Sequence, residues 1–297
     1  MVDVQAVPAS RTGARGAAAR TGLRGGVLFW LAACFSVFYL LVAVFGPLII
    51  QYDGVGTNIG DRLLPPLSTT TTGATAWFGT DQVGRDLLAQ VVQGARVSLL
   101  VATGTILIGG GVGLLLGMVA GYFGGVIDTV IMRLADIQLA FPGILLAILL
   151  AAVLGPSLLN VIVVLAVLRW VVFARLVRGS TLGTRGREFV DSARVLGVGT
   201  PRILRRYILP AVLTPFIVTA TVQVGLMIVA EASLSFLGLG VPPSTASWGT
   251  TIANGREYLS TAWWIATLPG VVLALVVLSL GILGDQLRDR LDPKLRS

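Results

Sequence analysis

Long uncharged runs alternate along this chain with short polar ones, and the runs are too long for an ordinary soluble fold. Five stretches carry no charged residue: Val27 to Ile50, Val97 to Ala120, Ile137 to Leu168, Ala211 to Ala230 and Trp263 to Gly284. Each reaches the ~20 residues that a helix needs to cross about 30 Å of hydrocarbon. The third is longer than one crossing requires and contains Gly155-Pro156-Ser157, a turn signal. It divides into parts of two helices, roughly 127–154 and 158–178, which makes six predicted transmembrane helices. The pattern predicts an all-α membrane protein.

The polar segment 185–210 is patterned as structure rather than as a loose connection. Glu188 to Leu196 reads as a helix, and Gly197 suits the left-handed residue that closes one. Thr200 followed by Pro201 reads as an N-cap with proline at the first helical position. Ile203, Leu204, Tyr207 and Ile208 then recur at helical spacing. A compact helix–turn–helix between two membrane spans implies a docking element for a cytoplasmic partner.

On the other side, Gln51 to Thr75 reads as an irregular segment, and Phe78 to Asp86 as turns in which Asp86 or Asp81 can cap the next, amphipathic stretch. Leu87, Leu88, Val91, Val92 and Ala95 share one helical face there, which predicts a connector lying in the membrane interface.

Composition agrees: 55% of residues are hydrophobic and 12% charged, against about 25% charged in soluble domains. The net charge of +8 is concentrated in three places. Arg11, Arg15, Arg20 and Arg24 precede the first span, eight arginines lie from Arg175 to Arg206, and Arg288, Arg290, Lys294 and Arg296 follow the last. Cytoplasmic segments accumulate such residues. Four spans separate the first two clusters and two separate the second from the third, so even parity puts both termini inside. The charge is thus a topology signal, and nucleic acid is not an expected partner. The first span is longer than the apolar core of a signal peptide and is expected to be retained as an anchor.

Candidate chemistry is sparse. The chain has no histidine and one cysteine, Cys34, within the first span. No catalytic or metal-ligating constellation is expected, because the carboxylates are scattered over different loops. Gly109, Gly113, Gly117 and Gly121 recur every fourth residue and predict a smooth ridge for close helix packing. A phosphate loop is excluded, since the only lysine is Lys294. Ionisable residues in or beside spans are candidates for a translocation path or gate. They are Arg169, Glu231, for which a structural hydrogen bond is the alternative, and Asp136, which can pair with Arg133 on one helical face.

Asp191-Ser192-Ala193-Arg194-Val195-Leu196-Gly197, nine further residues and then Tyr207-Ile208-Leu209-Pro210 resemble the E-A-A-x-x-x-G-(nine)-I-x-L-P loop of ATP-binding cassette importer permeases. Asp191, Ser192 and Tyr207 depart from its letters while the spacing is kept. Phe78-Gly79-Thr80-Asp81, Gly121 to Gly125, Ala230 to Gly238, Trp248-Gly249-Thr250 and Gly284 to Pro293 are similar to the dipeptide/oligopeptide/nickel permeases, specifically their C-type (second) membrane subunit. The similarity runs from Val27 to the C-terminus.

The resemblance implies a type I importer permease fold in a bacterial inner membrane. It implies a sister permease as heterodimer partner, two ATP-binding subunits, an extracytoplasmic substrate-binding protein and lipid contact. ATP and Mg would be held by the ATP-binding subunits, with no cofactor in this chain. Short peptides are the expected cargo; nickel or another chelated metal is the alternative, and an ATP-independent secondary transporter a further one. The expected organisation is a disordered cytoplasmic tail over 1–26, an anchor helix and outer segment over 27–96, a permease core over 97–284 with the coupling loop at 185–210, and a cytoplasmic tail over 285–297. Within that loop Glu188, Asp191, Ser192, Ala193, Gly197, Thr200, Pro201, Arg202, Leu209 and Pro210 are the expected ATPase-coupling residues. Gly197 is expected at a tight, buried turn where a side chain would clash. Arg202, Arg205 and Arg206 would meet an acidic partner surface or lipid headgroups.

Overall fold

The computed structural model describes residues 14–54 and 56–291, with side chains for 26–54 and 56–289. Among the described residues nine helices of eight or more residues follow one another: α1 Ala14–Ile49, α2 Leu87–Phe123, α3 Gly125–Leu139, α4 Gly143–Leu154, α5 Leu158–Arg185, α6 Glu188–Val195, α7 Thr200–Phe236, α8 Trp248–Gly255 and α9 Trp264–Leu291. Of the two expected tails, 1–13 and 292–297 lie outside the described residues; Ala14 onward is already helical, and α9 continues to Leu291 rather than stopping at 284.

Two expectations for the outer half need correction. The stretch from Leu87 to Ala95 is not an interfacial connector: it is the first part of α2, which runs on through a π-type widening at Ile106–Gly110. The boundary expected between 96 and 97 therefore falls inside a helix. Leu87, Val91, Val92 and Ala95 are buried by neighbouring helices, which is why their face is apolar. Asp86 is the cap, its Oδ1 accepting from the Ala89 amide at 3.0 Å. Asp81 instead shapes the preceding turn, its Oδ1 accepting from the amides of Val83 and Arg85 at 2.9 and 2.8 Å. The segment before it is less irregular than expected, since strands β1 Ser68–Thr69 and β2 Thr75–Ala76 pair antiparallel.

The predicted helix over 127–154 is broken. α3 and α4 meet at 87° across Ala140, Phe141 and Pro142. Proline has no N–H for the helix ladder and drives the preceding residue out of the helical region, so a break belongs here.

The packing of α2 on α5 decides how many times the chain crosses. A Cβ on Gly109, Gly113 or Gly117 would lie 2.7, 2.5 or 2.5 Å from the carbonyl oxygens of Ala166, Trp170 and Ala174, and one on Gly121 2.9 Å from that of Arg178. Both series advance in steps of four in the same direction, so α2 and α5 are parallel neighbours with backbones in contact. The glycine ridge is the packing surface its spacing predicted. Because α2 and α5 run the same way, the chain between Phe123 and Leu158 must return from one end of the bundle to the other. The bent pair α3–α4 is therefore one crossing, and the described residues make six crossings, five of them by continuous helices.

The two ends of the bundle differ. At one, Trp248 Nε1 donates to the Val91 carbonyl at 2.9 Å and Trp264 Nε1 to that of Thr80 at 3.2 Å, fastening α8 to the first turns of α2 and α9 to the segment before α2. At the other, α6 and the start of α7 pack Val190, Ile203, Ile208 and Val212 on Met118 and Val177.

Candidate functional site

The loop between α5 and α7 is a folded unit with one face inward. Val190 and Ala193 of α6 are buried. The α6 helix ends in a Schellman motif: the Val198 amide donates to the Ala193 carbonyl at 3.0 Å and the Gly197 amide to that of Arg194 at 2.9 Å. Gly197 holds φ at +74°. Nothing lies within 4 Å of where its Cβ would be, so the turn is open on this chain and the expected clash is absent. Backbone conformation selects glycine here. The cap of the second helix is Gly199, with Thr200 as its first residue and Pro201 as its second, so the helix begins one position earlier than the sequence suggested.

The outward face of α6 carries Glu188, Asp191, Ser192, Val195 and Leu196, which line a shallow surface hollow of about 540 Å³. Val195 and Leu196 are 88% and 81% exposed. Two apolar side chains this bare at a helix end, beside two carboxylates, form a compact patch of mixed character. Pro201, Arg202 and Pro210 are exposed and Leu209 is partly buried against the inner cluster.

Arginines tie this unit to the bundle. Arg185 donates to the carbonyls of Gly121 and Tyr122 at 2.9 and 3.0 Å, capping the end of α2. The Arg194 guanidinium lies 5.4 Å from the centre of the Tyr122 ring and pairs with Asp191 at 2.8 Å. Arg178 grips Asp128 of α3 through two hydrogen bonds of 2.5 and 2.6 Å. Thus α2, α3, α5 and α6 are linked at one end. Chain separations of 50 or more residues hid most of these partners from pattern reading.

The chain matches the model of the family described as binding-protein-dependent transport system inner membrane component over residues 113–297. It is 40% identical to the di/tripeptide transport system permease protein DppC of Pseudomonas aeruginosa (strain UCBPP-PA14), over 93% of this chain and 89% of that one. It is 41% identical to the dipeptide transport system permease protein DppC of Alkalihalophilus pseudofirmus, over 87% and 83%. The chain belongs to this family of inner membrane components. It is a permease component of an ATP-binding cassette importer. A solved inward-facing MetNI methionine transporter has the same fold, with TM-score 0.53 at 20% identity, covering 69% of this chain and 96% of that one.

Within this permease, the ionisable residues singled out from sequence fall in three different settings. Glu231 is fully buried, its carboxylate accepting from Ser98 at 3.0 Å and Ser235 at 2.7 Å. The structural alternative thus describes it better than a path-lining role. Asp136 pairs with Arg175 of α5 at 2.6 Å, not with Arg133. Its partner comes from the helix packed alongside, which sequence spacing cannot reveal. Arg169 lines a cavity among α3, α4, α5 and α7. Gln138 was missed: at the break it donates to the Val167 carbonyl at 2.9 Å and accepts from Trp170 Nε1 at 2.8 Å. A glutamine within an uncharged run was the available signal.

Proposed function

We propose that this permease forms half of the translocation path of a peptide importer, together with a sister permease. Two ATP-binding subunits would hold ATP and Mg and drive it from the cytoplasmic side, and an extracytoplasmic binding protein would deliver cargo. The observation that carries the reading is the α6 patch: a rigid, capped helix presents Val195 and Leu196 bare to the surroundings, beside Glu188 and Asp191. Exposed apolar side chains in a compact patch rimmed by polar groups mark an interaction site. The peptide assignment is supported by relatives about 40% identical along most of the chain whose names specify di- and tripeptides.

In operation, closure of the ATP-binding subunits would push the loop as a unit. α5 enters it at Arg185 and α7 leaves it from Thr200, so both crossings would move with it. In this orientation both termini are cytoplasmic, and Arg205 and Arg206 face lipid headgroups or partner surface. Docking is tested by cross-linking. In a Cys34→Ser background, Leu196→Cys is expected to cross-link to an ATP-binding subunit in the active complex. Cross-linking to lipid or to the sister permease alone would end the docking assignment.

A further inference from the structure

The cavity at the break of the third crossing holds a charge that has no partner among the described residues. It measures about 400 Å³ and is bounded by Gln138, Phe141, Arg169, Leu226, Ser233 and Leu237, among others. That is the lower part of the ~300–1,000 Å³ range of small-molecule sites. Arg169 lies eleven residues into α5, about 17 Å along its axis, which is mid-depth in a membrane about 30 Å thick. A guanidinium there is costly unless it is paired or faces water.

Among the described residues nothing pairs with it. Neither an ion pair nor a hydrogen bond reaches Arg169, and the cavity lining contains no carboxylate. The neighbouring polar groups already have partners: Gln138 bonds to Val167, Leu168 and Trp170, and the Ser233 hydroxyl donates to the Val229 carbonyl at 2.8 Å. Five N–H donors of the guanidinium are left for something else. The surrounding backbone adds to the positive potential. Gly143 and Ile144, the first residues of α4, also line the cavity, and the initial amides of a helix have no intrahelical acceptor. Broken backbone at this depth is tolerated where it is buried in protein or lines a cavity.

We infer that Arg169 is a specificity-determining residue that receives the C-terminal carboxylate of the peptide as it crosses. The inference rests on the peptide reading above. Every unmodified linear di- or tripeptide carries such a carboxylate whatever its side chains, and a planar guanidinium matches its two oxygens. The apolar walls supply contact without selecting a particular side chain.

The test uses the assembled importer with its binding protein in proteoliposomes, comparing wild type with Arg169→Met and Arg169→Lys. Uptake of a radiolabelled dipeptide and of its C-terminal amide is measured, together with co-purification of all subunits. Arg169→Met should assemble normally and lose roughly 10- to 100-fold in dipeptide uptake, the scale of a charge-assisted hydrogen bond. Arg169→Lys should lose less, and the wild-type preference for acid over amide should shrink in Arg169→Met. Wild-type dipeptide uptake by Arg169→Met would overturn the inference while leaving the peptide importer intact. Loss of assembly in both variants would overturn it too, assigning the arginine to a carboxylate of the sister subunit. Failure of the wild type to move any dipeptide would instead bring down the peptide reading, and this inference with it.

Discussion

Gly197 sits at φ +74° in open space, so two substitutions there separate backbone strain from docking. Alanine must adopt a left-handed conformation, at about 1–2 kcal/mol, and is expected to lower stability slightly while uptake persists. Arginine carries the same strain but projects a long charged chain beside Val195 and Leu196. We expect Gly197→Arg to insert in the membrane normally and to lose both uptake and substrate-stimulated ATPase activity in proteoliposomes. Equal uptake by the arginine and alanine variants would show that this corner does not meet a partner. At this scale the sequence was readable where chemistry is local. Glycine at a helix end announced its own φ, and Asp86 announced a cap. Asp136 was misread because its partner, Arg175, is 39 residues away on another helix, whereas Arg133 was the carboxylate's neighbour in sequence.

Whole helices obeyed simpler rules, and the α2–α5 seam is the clearest. Gly113 has the least room on it, since an added Cβ would meet the Trp170 carbonyl oxygen at 2.5 Å and the Phe173 Cβ at 2.6 Å. Backbone cannot turn aside as a side chain can. Gly113→Leu should therefore force the helices apart, at about 1–3 kcal/mol or more for overpacking. Reduced thermal stability of the purified chain in detergent would report it. Gly111→Leu, where nothing lies within 4 Å, is the control expected to behave as wild type. The ridge was legible because glycine every fourth residue has few other uses in an apolar helix. The break was missed although Pro142-Gly143 is itself a turn signal, because the uncharged run around it shows no face preference to set against a continuous helix. Periodicity carries no information where a helix is apolar all round. The start of α2 was misjudged for a related reason: an amphipathic face looks the same whether it rests on lipid or on other helices.

For the molecule entire, parity is the testable statement. Six crossings follow from the parallel run of α2 and α5, and the arginine-rich clusters give them a direction. In a Cys34→Ser background, a cysteine at Ser244 should react with a membrane-impermeant maleimide in intact spheroplasts, and one at Ser192 only after the membrane is opened. The reverse pattern would invert the orientation; labelling of both in intact spheroplasts would break the crossing count. The number of crossings was legible from run length and charge alone, whereas the cavity around Arg169 was not. It requires four helices to be placed before it exists. A single helix ties the two ends of this architecture together. α7 extends from the turn at Thr200, through a π-type widening at Leu204–Ile208, to Phe236, which lines a hollow of about 850 Å³ at the opposite end with Tyr52, Arg85 and Arg256. A rod of 37 residues spans about 55 Å. If a ligand at the far hollow favours one tilt of that rod, and a nucleotide-loaded partner at the near end favours the same tilt, each raises the affinity of the other by one and the same factor. The reciprocity needs no further messenger than the helix itself.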